Sequence, residues 1–147
     1  MDHGAARVEM FAGTLEDYPV YKISPKDSNK FALLCDTTEH PLPFMMCIEI
    51  FDVGGATPVN EHNAAYEHFY VIHGTGVAVI GDEEVSLVPG AHVLVPKETP
   101  HVVRNIGETR LYVLTTMVPD ENFSKLIKSG IQVALDEEDL RILRGGR

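Results

Sequence analysis

From Phe31 to Val118 the chain alternates short apolar runs with breaks rich in Gly, Pro, Asp and Asn. Eight runs stand out: FALLC, FMMCIEIF, FYVIH, VAVIG, EVSLV, HVLVP, HVVRN and RLYVLTTMV. Each is strand-sized, rich in β-branched and aromatic residues, and bounded by turn formers. HGTG, IGDEE and VPGAH predict turns, because Gly tolerates positive φ and Asp supports turns through local hydrogen bonds. Many short strands at close, even spacing predict an all-β barrel or sandwich rather than a parallel sheet.

After Pro119 the pattern changes. DENFSKLIKSG predicts a helix capped by Asp120, with Phe123, Leu126 and Ile127 on one side and Gly130 as its stop. LDEEDLRILRGG repeats the device, with Asp136 as cap. The first thirty residues are mixed, and ISPKDSNK reads as a polar loop. No internal repeat or linker interrupts the chain, so one domain is expected. Within it, residues 1–30 form an N-terminal segment packing on the barrel, 31–118 the barrel, and 119–147 a short helical extension. The acidic extension is also a candidate docking element, in which case deleting Glu121 to Arg147 leaves the barrel folded.

Composition narrows the function classes. A chain of 147 residues can bury a sizeable core. Its net charge of −10 repels nucleic acid and anionic lipid, so neither is expected as a partner. No apolar run is long enough to cross a bilayer. The two cysteines, Cys35 and Cys47, provide no disulfide framework, and the start of the chain lacks the basic and apolar regions of a secretory signal. A reducing cytoplasm is the expected compartment.

The chemistry is concentrated between Gly54 and Asn105. Gly54 is followed after five residues by Asn60, then Glu61 and His62; Glu67 comes after four more residues and Gly74 after a further six. A second set runs Gly90, five residues, Pro96, Lys97, Glu98, two residues, His101, three residues, Asn105. In order and spacing these sets resemble the two conserved motifs of the cupin superfamily, G-x5-H-x-H-x3,4-E-x6-G and G-x5-P-x-G-x2-H-x3-N. The resemblance implies a double-stranded β-helix, or jelly-roll, barrel that is often dimeric and holds a metal inside one end. Two positions depart from it. Asn60 stands where the family has its first histidine, and Glu98 stands where it has a turn glycine. With glutamate there, the turn is expected to differ and to need no positive φ.

Strand parity supports the same site. Glu67, Phe69 and Val71 share one face of their strand, and His68, Tyr70 and Ile72 the other. The turn NEHNAAYE can fold His62 back beside Glu67, and His101 opens a strand on which Val103 and Asn105 share its face. Two imidazoles and a carboxylate converging in a barrel suit one divalent Fe, Mn, Ni or Zn ion; the alternative is a buried polar network without metal. Asn60 is then a fourth ligand or the anchor of a metal-bound water, with a turn role as its alternative.

The remaining polar residues carry weaker readings. Tyr66 is a candidate proton donor or an aromatic plug, and Glu98 a second acid or a solvated loop residue. His68 is expected at an interface or against a second sheet, His73 in solvent and His92 behind the ligands, with Met45, Met46 and Met117 in the core. Arg104 faces away from the ligands, and the walls include Phe69, Val71 and Val103. A small, weakly charged organic ligand therefore fits best, or one held through the metal. The expected function is a divalent-metal-dependent enzyme of oxygenase, lyase or isomerase type acting on such a molecule; the alternative is a non-catalytic ligand-binding or sensor module. A homodimer is expected through the face carrying His68, Tyr70 and Ile72.

Overall fold

All eight apolar runs are strands in the computed structural model, which describes residues 7–146. They are β2 (Asn29–Cys35), β3 (Met45–Phe51), β4 (Tyr66–His73), β5 (Gly76–Ile80), β6 (Glu83–Leu87), β7 (His92–Val95), β8 (His101–Asn105) and β9 (Leu111–Val118). Two three-residue strands join them, β1 (Val20–Lys22) and β10 (Ile131–Val133), with helices α1 (Phe123–Lys128) and α2 (Glu137–Leu143). A seven-stranded sheet in the order β10-β1-β2-β3-β9-β4-β7 faces a three-stranded sheet, β6-β5-β8, and the pairings are antiparallel. This is the expected jelly-roll. Among the described residues no helix is long and apolar enough to cross a membrane.

Period-two alternation fills the space between the sheets. Phe51, Phe69, Val71, Leu87, Val95, Val103, Leu111 and Val113 form its main cluster. Nearer the open end, Phe31, Met45, Cys47, Ala65 and Met117 pack with Ile127 of α1. Met46 has the opposite parity to Met45 and is only half-buried, so it is not the core residue expected. A third cluster lies outside the large sheet, where Val20, Ala32, Ile48, Ile50 and Tyr112 meet Ile142 of α2. Strand β3 is thus covered on both faces, which explains why its sequence is nearly continuously apolar instead of alternating.

The C-terminal extension is part of this core. Ile127 is fully buried, and Asp139 of α2 is 0% exposed while paired with Lys30 and Arg110. Removing residues 121–147 would open two clusters, so the barrel cannot be expected to stay folded without them. Asp136 caps α2 as predicted, in a reciprocal capping box with Asp139. Helix α1 differs: its N-cap is Asn122, and Glu121 and Asn122 both have positive φ. That kink carries the Asp120 carboxylate over the first turn, where it accepts from Ser124 N at 2.9 Å and Ser124 Oγ at 2.6 Å. Gly130 ends the helix where a Cβ would lie 1.9 Å from the Lys22 carbonyl oxygen. Only glycine lets β10 pass that close and pair with β1. Residues 1–6 of the expected N-terminal segment, and Arg147, lie outside the described residues.

Candidate metal centre

Three side chains from different parts of the chain meet at the open end of the barrel. Glu67 is the second residue of β4, and parity turns it inward with Phe69 and Val71. His101 opens β8 and is 3% exposed. His62 lies on the loop before β4, held there because residues 56–60 run beside β8: Asn60 N donates to His101 O at 2.9 Å, and His101 N donates to Asn60 O at 2.8 Å. Glu67 Oε1 is 2.8 Å from His101 Nε2 and 3.2 Å from His62 Nε2.

The outer nitrogens are also engaged. His101 Nδ1 donates to the Thr99 carbonyl at 2.9 Å, which leaves Nε2 directed at the cluster. His62 Nδ1 lies 3.5 Å from Glu121 Oε2, and Glu121 Oε1 accepts from Ala64 N at 2.7 Å. Outer partners of this kind fix ring orientation in metal-binding histidines. Burial works to raise the Glu67 pKa, but hydrogen bonds and charge from His101 and His62 outweigh it and hold the carboxylate low. Burial works to lower the His101 pKa; Glu67 and the Thr99 carbonyl prevail and raise it.

This donor set fits a divalent ion. One donor atom from each of His62, Glu67 and His101 lies within 4.8 Å of the others. Ligand bonds of about 2.1 Å at tetrahedral angles place donors roughly 3.4 Å apart, so an ion would widen the 2.8 and 3.2 Å separations by roughly 0.6 and 0.2 Å. Two nitrogens and one oxygen suit Fe, Mn, Ni or Zn, and three protein ligands leave positions open for a ligand.

Cavities of about 230 and 250 Å³ adjoin the cluster, sharing Asn60, Glu67, Phe123 and Leu126. Asn60 is therefore beside the cluster, though the structure ties it down through its backbone. Helix α1 supplies Phe123 and Leu126 as one wall. No lysine or arginine lines either cavity among the described residues.

Other candidates fall elsewhere. Tyr66 is 44% exposed, on the opposite face of β4 from Glu67, so it cannot serve as the expected proton donor or plug. Its ring lies 5.9 Å from Lys97 Nζ. Glu98 is exposed and does not line the cavities, and its turn does require positive φ (60°), contrary to expectation. The chain must reverse tightly between β7 and β8, and Glu98 N donates to the His62 carbonyl, which compensates for the left-handed conformation and links the two halves of the site. His92 does not stand behind the ligands: its Nδ1 is 2.9 Å from His68 Nε2 on the outer face of the sheet. His73 is half-buried edge-on to Tyr112, because a register shift after Val71 breaks the strand parity.

Sequence reasoning passed over Glu49, Asn29 and Glu121. Glu49 is 3% exposed and lines the smaller cavity with Glu67 and His101. The available signal was a single charge inside FMMCIEIF, on the inward parity of Met45, Cys47 and Phe51. Burial, then repulsion from Glu67, pushes its pKa up to about 8, against a lowering hydrogen bond from Asn29. The folded chain therefore holds this proton more tightly than the unfolded chain. Stability from this group is fully present below the unfolded pKa of 4.5 and is lost as pH rises toward about 8. Glu49→Gln should gain on the wild-type protein by up to about 1.4 kcal/mol per pH unit across that window. Urea unfolding of metal-free protein at several pH values measures the difference, and parallel curves for the two proteins would contradict it.

The comparisons with known proteins agree with this geometry. A family model described as a cupin domain matches residues 47–117. An uncharacterized protein of Methanocaldococcus jannaschii is 30% identical over 70 residues, covering 48% of this chain and 56% of that protein. The chain thus matches little more than half the length of that relative. Among solved structures, a predicted oxalate decarboxylase of Thermotoga maritima superposes with a TM-score of 0.67 at 18% identity, covering 74% of this chain and 99% of that one. The cupin domain of Schizosaccharomyces pombe Cnp3 gives 0.63 at 18% identity, covering 79% and 80%. An oxalate oxidase gives 0.62 at 20% identity, covering 82% and 72%. At such identities the likeness shows a shared fold.

Proposed function

We propose that this chain, whose residues 47–117 match a cupin domain, is a divalent-metal-dependent enzyme acting on a small organic molecule. The observation that carries this reading is the cluster of half-buried His62 with buried Glu67 and His101, opening onto cavities that no described lysine or arginine lines. His101, locked by Thr99, and His62, steered by Glu121, would present nitrogen lone pairs, and Glu67 would supply a charged oxygen. When bound, the metal supplies Lewis-acid chemistry, or oxygen activation if it is iron. Phe123 and Leu126 would give the bound molecule an apolar wall.

Reconstitution with Fe(II), Mn(II), Ni(II) and Zn(II) tests the proposal, followed by NMR and oxygen-uptake assays on small hydroxy and keto compounds. Oxalate, named for two of the similar structures, belongs in that panel. Turnover should appear with one metal and vanish in His101→Ala while circular dichroism is unchanged. Thermal stabilisation by a ligand without turnover would favour a sensor. That second reading gains support from Tyr66 and Glu98 both lying outside the cavities.

We also propose a homodimer through the exposed outer face bearing Tyr70, Leu94 and the His68–His92 pair; a monomer mass in sedimentation would contradict it. Ile72, expected in the same interface, is instead partly covered by the cluster under α2.

A further inference from the structure

Glu49 sits on β3 in register with Phe31 of β2 and Val113 of β9. Glu67 pairs with Met117 on the other flank of β9, so the two carboxyls stand four residues apart along that strand. Both face inward and line one cavity. Glu49 Oε2 accepts a hydrogen bond from Asn29 Nδ2 at 2.9 Å. No described residue donates to Oε1. Thr115 Oγ1 is the only sealed side-chain polar atom left without a partner among the described residues, so Glu49 Oε1 is not sealed in protein but opens to the cavity.

The other titratable groups lining this cavity are Asp27, Glu67 and His101, and no lysine or arginine joins them. A bare carboxylate at Glu49 would be costly with one amide N–H as its only partner, whereas a carboxylic acid is not. Such an acid has a donor directed at whatever fills the cavity. Three carboxyl groups and no basic side chain on the wall disfavour an anion at the Glu49 end. Ile23, Phe31 and Phe69 make the rest of the wall apolar. The volume of about 230 Å³ suits a small molecule.

We propose that Glu49 is the ligand-contacting acid of this cavity, donating a hydrogen bond to a hydroxyl or carbonyl oxygen of a small uncharged molecule whose other oxygens reach His62, Glu67 and His101. The class this describes is a hydroxy-carbonyl or dicarbonyl compound. The metal end of the inference rests on the function proposed above; the Glu49 end rests on its own surroundings. The raised Glu49 pKa agrees with the donor role.

Two measurements test it. Infrared difference spectra of metal-free wild-type protein against Glu49→Gln at neutral pH should show the carbonyl band of one carboxylic acid, moving in D2O. No such band would overturn the proposal. The second uses cobalt(II)-loaded protein, with its visible spectrum following two chelators: acetohydroxamate, and succinamic hydroxamate with a distal amide carbonyl. Wild-type protein should bind the longer chelator about tenfold more tightly. Glu49→Ala should lose that gain, and Glu49→Gln, whose amide N–H still donates, should keep it. No gain in the wild type, or a gain that survives Glu49→Ala, overturns the inference. If cobalt does not bind at all, the metal reading fails, and the infrared band still decides whether Glu49 is a donor.

Discussion

Asp139→Ala should destabilise the protein by about 3–5 kcal/mol, the usual cost of breaking a buried ion pair from one side. The Asp139 side chain is 0% exposed. Its Oδ1 accepts from Tyr112 Oη at 2.8 Å and Arg110 Nη1 at 3.0 Å, and its Oδ2 pairs with Lys30 and accepts from Asp136 N at 2.9 Å. Alanine would leave the buried Tyr112 hydroxyl without an acceptor, take the carboxylate partner from Lys30 while Arg110 keeps Asp136 and Glu138, and remove half of the α2 capping box. The melting temperature should fall by roughly 10 °C or more. Asp139→Asn keeps the shape and an acceptor oxygen, so it should lose less. Urea unfolding of the two variants checks the order, and equal small losses would mean that α2 is not a clamp on the barrel.

Glu67→Gln should weaken divalent metal binding by at least about 100-fold. Partners outside the ligand set alone are worth 10–100-fold in such sites, and Glu67 is the only carboxylate of the cluster. Its charge is what both imidazoles face, at 2.8 and 3.2 Å. An amide fills the same volume and still accepts a hydrogen bond from His101, so the barrel should remain folded. Isothermal titration with Zn(II) and Mn(II) reads the affinity and circular dichroism the fold. Unchanged affinity would remove Glu67 from the ligand set.

The strands of the barrel were legible because each buries at least one face and ends in a turn former: Phe69 and Val71 alternate with Tyr70, and Gly74 and Gly90 mark the reversals. β1 and β10 were not legible. Three residues carry no period, and these strands exist because the chain passes close to Lys22 at Gly130. The cluster of His62, Glu67 and His101 was legible from spacing and parity together. Tyr66 was misread because adjacency in sequence was taken for adjacency in space; on a strand it means opposite faces. At Glu98 the residue type suggested an ordinary turn, but the geometry between β7 and β8 demands positive φ whatever side chain stands there. Glu49 was hidden by its own neighbours, one charge in an apolar run, and its significance depends on a cavity that only the fold assembles.

The central claim is that His62, Glu67 and His101 together hold a metal ion. Elemental analysis of purified wild-type protein and of His62→Ala, after identical reconstitution and dialysis, tests it most directly. About one equivalent of Fe, Mn, Ni or Zn is expected in the wild-type protein and a small fraction of that in the variant. An empty wild-type protein, or equal metal in both, would contradict it.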